Sequence, residues 1–228
     1  MSSAQFLYAI LAGLLPSLIW LVFWTREDKH PEPRTLLAGC FLGGMLSVVA
    51  AYYAEQYLAG LVTTENLRYV LWAGAEEIVK FIAVAAIALH TLSNDEPIDA
   101  MIYCITVALG FAALENVIFL MNWLQNGEIV RSIVNGDLRF IGATLVHVVS
   151  SGLIGFSLAI TFYRHSAAKI LGVILSLAAA IAVHASFNIA VNSVQPTQTL
   201  GVFGWVWAAV VVMIVLFEEA KAVRPKLL

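Results

Sequence analysis

Seven long apolar runs, separated by short polar breaks, dominate this chain of 228 residues. An α-helix of about 20 apolar residues crosses the hydrocarbon core of a bilayer, because it satisfies its own backbone hydrogen bonds. The chain is 61% hydrophobic and 12% charged, which is too little charge to cover the surface of a soluble domain of this size. The sequence therefore predicts an all-α fold, a polytopic integral membrane bundle of about seven transmembrane helices.

The boundaries of these helices follow from turn and charge residues. The predicted spans are 5–24, 36–57, 69–92, 98–124, 140–163, 168–192 and 200–218. No soluble domain or long linker interrupts them, so we expect one domain over residues 1–228. No basic region precedes the first run, which predicts that it is retained and not cleaved as a signal peptide.

The distribution of Lys and Arg predicts the orientation of the bundle. With the N-terminus outside, the outer loops hold only Arg68, Arg131 and Arg139, whereas the other loop cations lie on the cytoplasmic side. We therefore expect an N-out, C-in topology in the lipid bilayer. The net charge is −3 and no basic stripe is present, so we expect no nucleic-acid partner.

Ionisable side chains inside the apolar runs are the strongest indication of function. A charge at mid-membrane costs about 2.5–3.5 kcal/mol on insertion scales, so such residues mark functional sites. The third to sixth spans contain Glu76, Glu77, Lys80, Glu115, His147 and His184, with Asn188 one turn after the last. At 1.5 Å per residue, Glu76, Glu115, His147 and His184 all lie roughly 10–14 Å below the outer ends of their spans. A common depth predicts one cluster. Glu55, His90, His165, Glu218 and Glu219 are interpreted as ordinary polar residues at span ends or in loops.

Helical spacing suggests how these residues work together. Glu76 and Lys80 share a helix face at i and i+4, so the ammonium can keep a carboxylate ionised. Glu77 points about 100° away from Glu76, so the two need not have the same role. His184 and Asn188 also share a face and can present an imidazole and an amide to one point.

Two chemistries can use this set, and both hydrolyse acyl groups. In the first, His147, His184 and Glu115 bind Zn²⁺, and Glu76 or Glu77 takes a proton from water. In the second, a carboxylate activates water without a metal, and His184 and Asn188 stabilise the oxyanion. The sequence has no HExxH, no GxSxG and no paired intramembrane aspartates, which argues against three other classes of intramembrane protease.

The motifs also resemble those of a known family. In chain order they are Glu76-Glu77-x-x-Lys80, Phe111-x-x-x-Glu115-Asn116, His147 and His184-x-x-x-Asn188. Together with Pro31-Glu32-Pro33 they resemble the PrsW family of bacterial membrane proteases, over about residues 14–192, with the core motifs in 70–192. They are similar, more distantly, to the CAAX prenyl endopeptidases, which carry a histidine where this chain has Glu115.

The resemblance implies a multi-pass intramembrane endopeptidase of the bacterial inner membrane. It implies a single-span membrane protein as substrate, such as an anti-sigma factor, and the shared depth of the cluster places the cut near the outer leaflet. Two alternatives remain at this point. Carboxylate and histidine chains also relay protons in transporters, so a proton-coupled carrier is possible. A non-cleaving protein that binds single-span partners is the other.

The loop Gln125–Arg139 is the longest on the outer side. Its apolar residues could form a short amphipathic helix that covers the site. An ordinary connector is the alternative.

Overall fold

The computed structural model describes residues 2–26, 28, 30–128, 142–193 and 199–225, and the regular structure in these ranges is helical. The helices are α1 (Ser3–Arg26), α2 (Arg34–Ala59), α3 (Glu65–Ile87), α4 (Pro97–Gln125), α5 (Thr144–Ile160), α6 (Ser166–Ser193) and α7 (Thr199–Ala222). Five of them (α1, α2, α4, α6 and α7) are long and apolar enough to cross a membrane. Each predicted span coincides with one helix, so the predicted all-α membrane bundle is confirmed.

The two remaining helices differ from these five for separate reasons. α5 is apolar but has only 17 residues. α3 has 23 residues, and Glu76, Glu77 and Lys80 interrupt its apolar stretch. Those three residues are nevertheless buried, so their charges face neighbouring helices and not the surroundings of the bundle.

The third span was predicted to reach residue 92, but α3 ends at Ile87. Side chains after it bond to the freed carbonyl groups: the Thr91 hydroxyl donates to Ala88 O at 2.8 Å and the Asn94 amide to Leu89 O at 3.0 Å. Such local bonds offer the backbone an alternative to the helix. α4 then begins at Pro97, at a position where the missing N–H of proline costs no hydrogen bond.

α4 lies at the centre of the bundle. Its most apolar stretch is 72% buried, against 22% for that of α1, and it packs against α1, α2 and α5. α2 crosses α4 closely at Gly44 and Gly110, where a Cβ on Gly110 would collide with the Phe41 backbone. Gly39 and Gly43 of α2 instead face Ile87 of α3.

Two predictions concern parts of the chain that the structure does not describe. Residues 129–139 of the long outer loop, and the turn at 195–197, lie outside the described residues. The membrane orientation and the single-domain organisation stay predictions.

Candidate active site

Four helices bring six of the seven predicted site residues into one connected group. α3 supplies Glu76, Glu77 and Lys80, α4 supplies Glu115, α5 supplies His147 and α6 supplies His184. Five of them are buried, whereas the Glu115 side chain is 21% exposed. The cluster predicted from a common depth therefore exists as a spatial group.

Glu77 is the most completely hydrogen-bonded member of the group. Its side chain is 0% exposed. Oε1 accepts from Lys80 Nζ at 2.6 Å, Ser150 Oγ at 2.8 Å and His184 Nδ1 at 2.7 Å, and Oε2 accepts from Ser151 Oγ at 3.2 Å. A carboxylate with four donors is stabilised in its charged form. Glu77 is thus suited to fixing its neighbours in place.

Lys80 pairs with Glu77 and not, as the i, i+4 spacing suggested, with Glu76. The i, i+3 arrangement also places two residues on one helix face, and the donors from α5 and α6 fix the carboxylate of Glu77 there. The Lys80 ammonium also lies 3.0 Å from His147 Nδ1 and 5.0 Å from the centre of the Phe111 ring. Side chains from three helices of the site therefore surround the Lys80 ammonium.

Glu76 is bonded very differently from its neighbour in sequence. Its Oε2 atom is buried and has no hydrogen-bond partner among the described residues. The same atom lies 3.9 Å from His147 Nδ1 and 3.7 Å from His184 Nε2. These separations are too long for hydrogen bonds, so one carboxylate oxygen and two imidazole nitrogens face one another without bonding.

This arrangement fits a bound metal ion. Ligand atoms of Glu76, His147 and His184 all lie within 4.8 Å of one another. With bonds of about 2.0–2.1 Å, neighbouring ligands of a tetrahedral Zn²⁺ stand roughly 3.4 Å apart, close to the separations seen here. Lys80 would give up its contact with His147 Nδ1 to a cation, and it would keep Glu77 as its partner.

Each histidine is oriented by a different carboxylate. His184 donates from Nδ1 to Glu77, and His147 donates from Nε2 to Glu115 Oε2 at 3.0 Å. The nitrogen that does not bond to these carboxylates, Nδ1 of His147 and Nε2 of His184, is the one nearest Glu76 Oε2. Carboxylates in this position fix the tautomer and orientation of histidines that bind metals.

Glu115 was predicted to bind the metal together with the two histidines. In the structure it bonds to His147 on the ring edge away from Glu76, and the group with mutually close ligand atoms contains Glu76 in its place. The sequence could not decide between these carboxylates, because both lie at a suitable depth.

Asn188 is the predicted site residue that lies apart from the group. It is half-buried, one turn after His184 on α6, and its backbone carbonyl accepts from Asn192. Among the described residues its side chain makes no hydrogen bond to the other predicted site residues. Its role as an oxyanion donor stays a prediction.

The sequence analysis missed two residues that contact the group. Ser150 and Ser151 follow His147 by three and four positions, so they extend its helix face, and both donate to Glu77. Their spacing from His147 within an apolar span could have revealed them.

Comparison with known proteins adds independent information. The family model described as "PrsW family intramembrane metalloprotease" matches residues 32–217, which include every predicted site residue. A protein named "Protease PrsW" from Geobacillus kaustophilus is 31% identical over 158 residues, which cover 68% of this chain and 64% of that protein. Its namesake from Bacillus subtilis is 24% identical over 188 residues, 80% of this chain and 82% of that protein.

A third relative with this name, from Oceanobacillus iheyensis, is 25% identical over 113 residues, 48% of this chain and 53% of its own length. The chain thus matches less than two thirds of the length of the Geobacillus and Oceanobacillus relatives. No solved structure matches the chain.

Proposed function

The chain belongs to the PrsW family of intramembrane metalloproteases, and from this premise we propose that it hydrolyses a peptide bond of a membrane-protein substrate within the bilayer. The observation that carries the proposal is the group formed by Glu76, His147 and His184. It is buried, its ligand atoms face one another, and it contains a carboxylate oxygen that has no hydrogen-bond partner among the described residues. Burying ionisable side chains in a membrane bundle costs free energy, so a group of this kind marks a functional site.

We propose that Glu76, His147 and His184 bind Zn²⁺. When bound, the ion supplies Lewis-acid chemistry, which lowers the pKa of water and polarises a carbonyl oxygen. Glu77 holds the proton on His184 Nδ1, and Glu115 holds the proton on His147 Nε2, so the other nitrogen of each ring is unprotonated; on His147 the Lys80 ammonium would yield its contact with that nitrogen to an ion. The chain thereby prepares the ligands before an ion arrives.

Glu115 is the carboxylate that we assign to proton transfer. Glu77 is committed to four donors, and Glu76 belongs to the ligand group. Glu115 is partly exposed and contacts His147, so it can take a proton from attacking water and pass it to the leaving nitrogen. Asn188 is then the amide that can donate to the substrate carbonyl oxygen.

The substrate that we propose is a single-span membrane protein, as the resemblance implies, with an anti-sigma factor as the specific candidate. The predicted orientation places the site toward the outer leaflet of the bacterial inner membrane, so the cut should lie there.

A paired experiment tests the proposal. The chain is co-expressed with a single-span anti-sigma factor from the same genome, and the fragment ends are mapped by mass spectrometry. Wild type should produce a fragment cut near the outer leaflet, and Glu76→Gln should not. Elemental mass spectrometry of chelator-free protein should find about one zinc per chain, lost in His184→Ala. Equal cleavage by wild type and Glu76→Gln would refute the assignment of the site.

The alternative function, a proton-coupled transporter, draws no support from the family match. Proton-driven solute uptake into proteoliposomes that is abolished in Glu115→Gln would be needed to restore it. Capture of a single-span partner without any new fragment, by wild type and Glu76→Gln alike, would favour the non-cleaving binding protein.

A further inference from the structure

Two consecutive residues of α4 bond to two successive turns of α5. Glu115 Oε2 accepts from His147 Nε2 at 3.0 Å, and the Asn116 side-chain amide donates to the Thr144 hydroxyl at 3.0 Å. Asn116 and Thr144 are both buried. The two helices pack against each other, and the later residue of α4 bonds to the earlier residue of α5, as in antiparallel neighbours. The two bonds therefore join one pair of helices at two heights.

Thr144 is the first residue of α5, and its bond to Asn116 comes from outside the helix. The preceding residue, Ala143, has no side chain that can cap a helix, and residues 142–143 form a π-helical turn. Such turns are rare and often adjoin functional sites. Thr144 precedes His147 by three residues, so the two side chains share one face, about 4.5 Å apart along the helix axis. Asn116 thus holds α5 one turn before the histidine.

We propose that Asn116 and Thr144 are positioning residues for His147. A single bond between two helices leaves each free to rotate about it, whereas a second bond one turn away fixes both height and rotation. We call the bond between Asn116 and Thr144 the clamp. It keeps Nε2 of His147 against Glu115 and Nδ1 beside Glu76 Oε2. The proposal rests on the proposed function, because it assumes that His147 binds the metal.

Substitutions that keep the shape of the side chains test the clamp. Thr144→Val removes the hydroxyl and keeps the branching, whereas Thr144→Ser keeps a hydroxyl. Asn116→Leu combined with Thr144→Val replaces both partners by apolar groups of similar shape, which can leave stability nearly unchanged. Thr106→Val is the matched control, because Thr106 is also fully buried and its hydroxyl bonds to Ile102 O within α4.

Thr144→Val should weaken zinc affinity about 10-fold, the lower end of the effect of groups that orient metal-binding histidines. Its cleavage rate should fall about 10²-fold, because a displacement of about 1 Å near the reacting atoms has that effect. Thr144→Ser and Thr106→Val should remain close to wild type in both measurements. Zinc affinity is measured by competition with a chelating dye, and cleavage by fragment yield, each per folded molecule. Wild-type values in Thr144→Val would overturn the proposal.

The double variant separates positioning from stability. Asn116→Leu with Thr144→Val should unfold in SDS near the wild-type midpoint, yet it should keep the zinc and cleavage defects of Thr144→Val. The reason is that apolar packing has no directional bond to fix the height and rotation of α5. Recovery of zinc affinity and cleavage in the double variant would show that the clamp only stabilises the bundle, and would refute positioning.

The clamp can also be tested without metal or substrate. If wild type neither binds zinc nor cleaves, the proposed function has failed, and a double-mutant cycle in SDS unfolding then tests the clamp alone. Thr144→Val should cost less stability in the Glu115→Ala background than in wild type, because the bond to His147 that the clamp positions is already absent. Equal costs in the two backgrounds would overturn the proposal.

Discussion

Two clusters of metal-ligand-type side chains lie in the part of the chain that the structure describes, and they differ in the groups that hydrogen-bond to them. In each, three residues place ligand-type atoms within 4.8 Å of one another: Glu76, His147 and His184 in the first, Asp28, Glu32 and Asp99 in the second. We call the first the site cluster and the second the junction cluster, because it joins the segment before α2 to the start of α4.

The junction cluster is satisfied mainly by local groups. Asp99 Oδ2 accepts from the backbone N–H groups of Asp95 at 2.9 Å and Glu96 at 2.6 Å, which caps α4. The Tyr103 hydroxyl donates to Glu32.

In the site cluster, by contrast, the bonds link helices. Among the described residues each cluster has one buried oxygen without a hydrogen-bond partner, Asp28 Oδ2 at the junction and Glu76 Oε2 in the site. The comparison teaches that neither closeness of carboxylates nor an unpartnered oxygen by itself indicates catalysis. The informative feature is the pair of imidazole nitrogens that face Glu76 Oε2.

The largest expected effect comes from removing that oxygen. Glu76→Gln should reduce cleavage by roughly 10⁴-fold, the scale seen when a member of a catalytic group is removed. Its counterpart at the junction, Asp99→Asn, should keep the cleavage rate per folded molecule within a few-fold. Rates are measured by fragment yield on purified protein. Equal losses of cleavage in Glu76→Gln and Asp99→Asn would show that the two clusters do not differ in function.

The next largest effect concerns stability. Glu77→Gln leaves the Lys80 ammonium buried without its charged partner, which should destabilise the bundle by about 3–5 kcal/mol. Unfolding in SDS measures this loss. Adding Lys80→Met should restore part of it, because the pair is then removed as a whole. If the stability lost in the double variant equals the sum of the losses in Glu77→Gln and Lys80→Met, the unpaired lysine is not the cause of the loss.

A smaller effect separates two roles of Glu115. Glu115→Ala removes the group that orients His147 and should weaken zinc affinity about 10–100-fold. Glu115→Gln keeps a carbonyl oxygen that accepts from His147, so it should retain zinc while losing cleavage. Affinity by chelator competition and fragment yield are measured on the same samples. Loss of zinc in both variants would instead support the sequence-based prediction that Glu115 is a ligand.

The smallest effect is at the junction and depends on pH. Burial raises the pKa of Glu32 above its ordinary value, against the bond from Tyr103, which lowers it. A carboxyl group with a raised pKa in the folded state favours folding at low pH, and that contribution is lost as pH rises through the raised pKa. The unfolding midpoint should therefore fall as pH rises above about 4.5, the ordinary glutamate value. In Glu32→Gln the fall should be smaller, and an unchanged fall would exclude Glu32 as its source.

The fold was predictable because a bilayer imposes one requirement on every span, a long apolar helix. That requirement is local in sequence, so runs such as 98–124 reveal α4 within a few residues of Pro97–Gln125. The requirement for a long apolar helix did not predict the early end of α3 at Ile87. Ala88, Leu89 and Leu92 are apolar, and side chains beyond the helix decide where it stops.

The site was predictable only in part. The sequence predicted a common depth in the membrane for Glu76, Glu115, His147 and His184. Depth does not indicate how each helix is rotated about its axis. Rotation decides that Lys80 bonds Glu77, and that Glu76 rather than Glu115 faces both histidines.

The four donors of Glu77 also have a consequence for biosynthesis. Lys80 is three residues away in the same helix, but Ser150 and His184 follow by 73 and 107 residues. When α3 leaves the ribosome, its glutamate has only the lysine to neutralise it, and α5 and α6 do not yet exist. The histidines are synthesised last. Under the proposed function, a half-made chain therefore has no hydrolytic centre and cannot cleave membrane proteins inserted nearby until its sixth helix is in place.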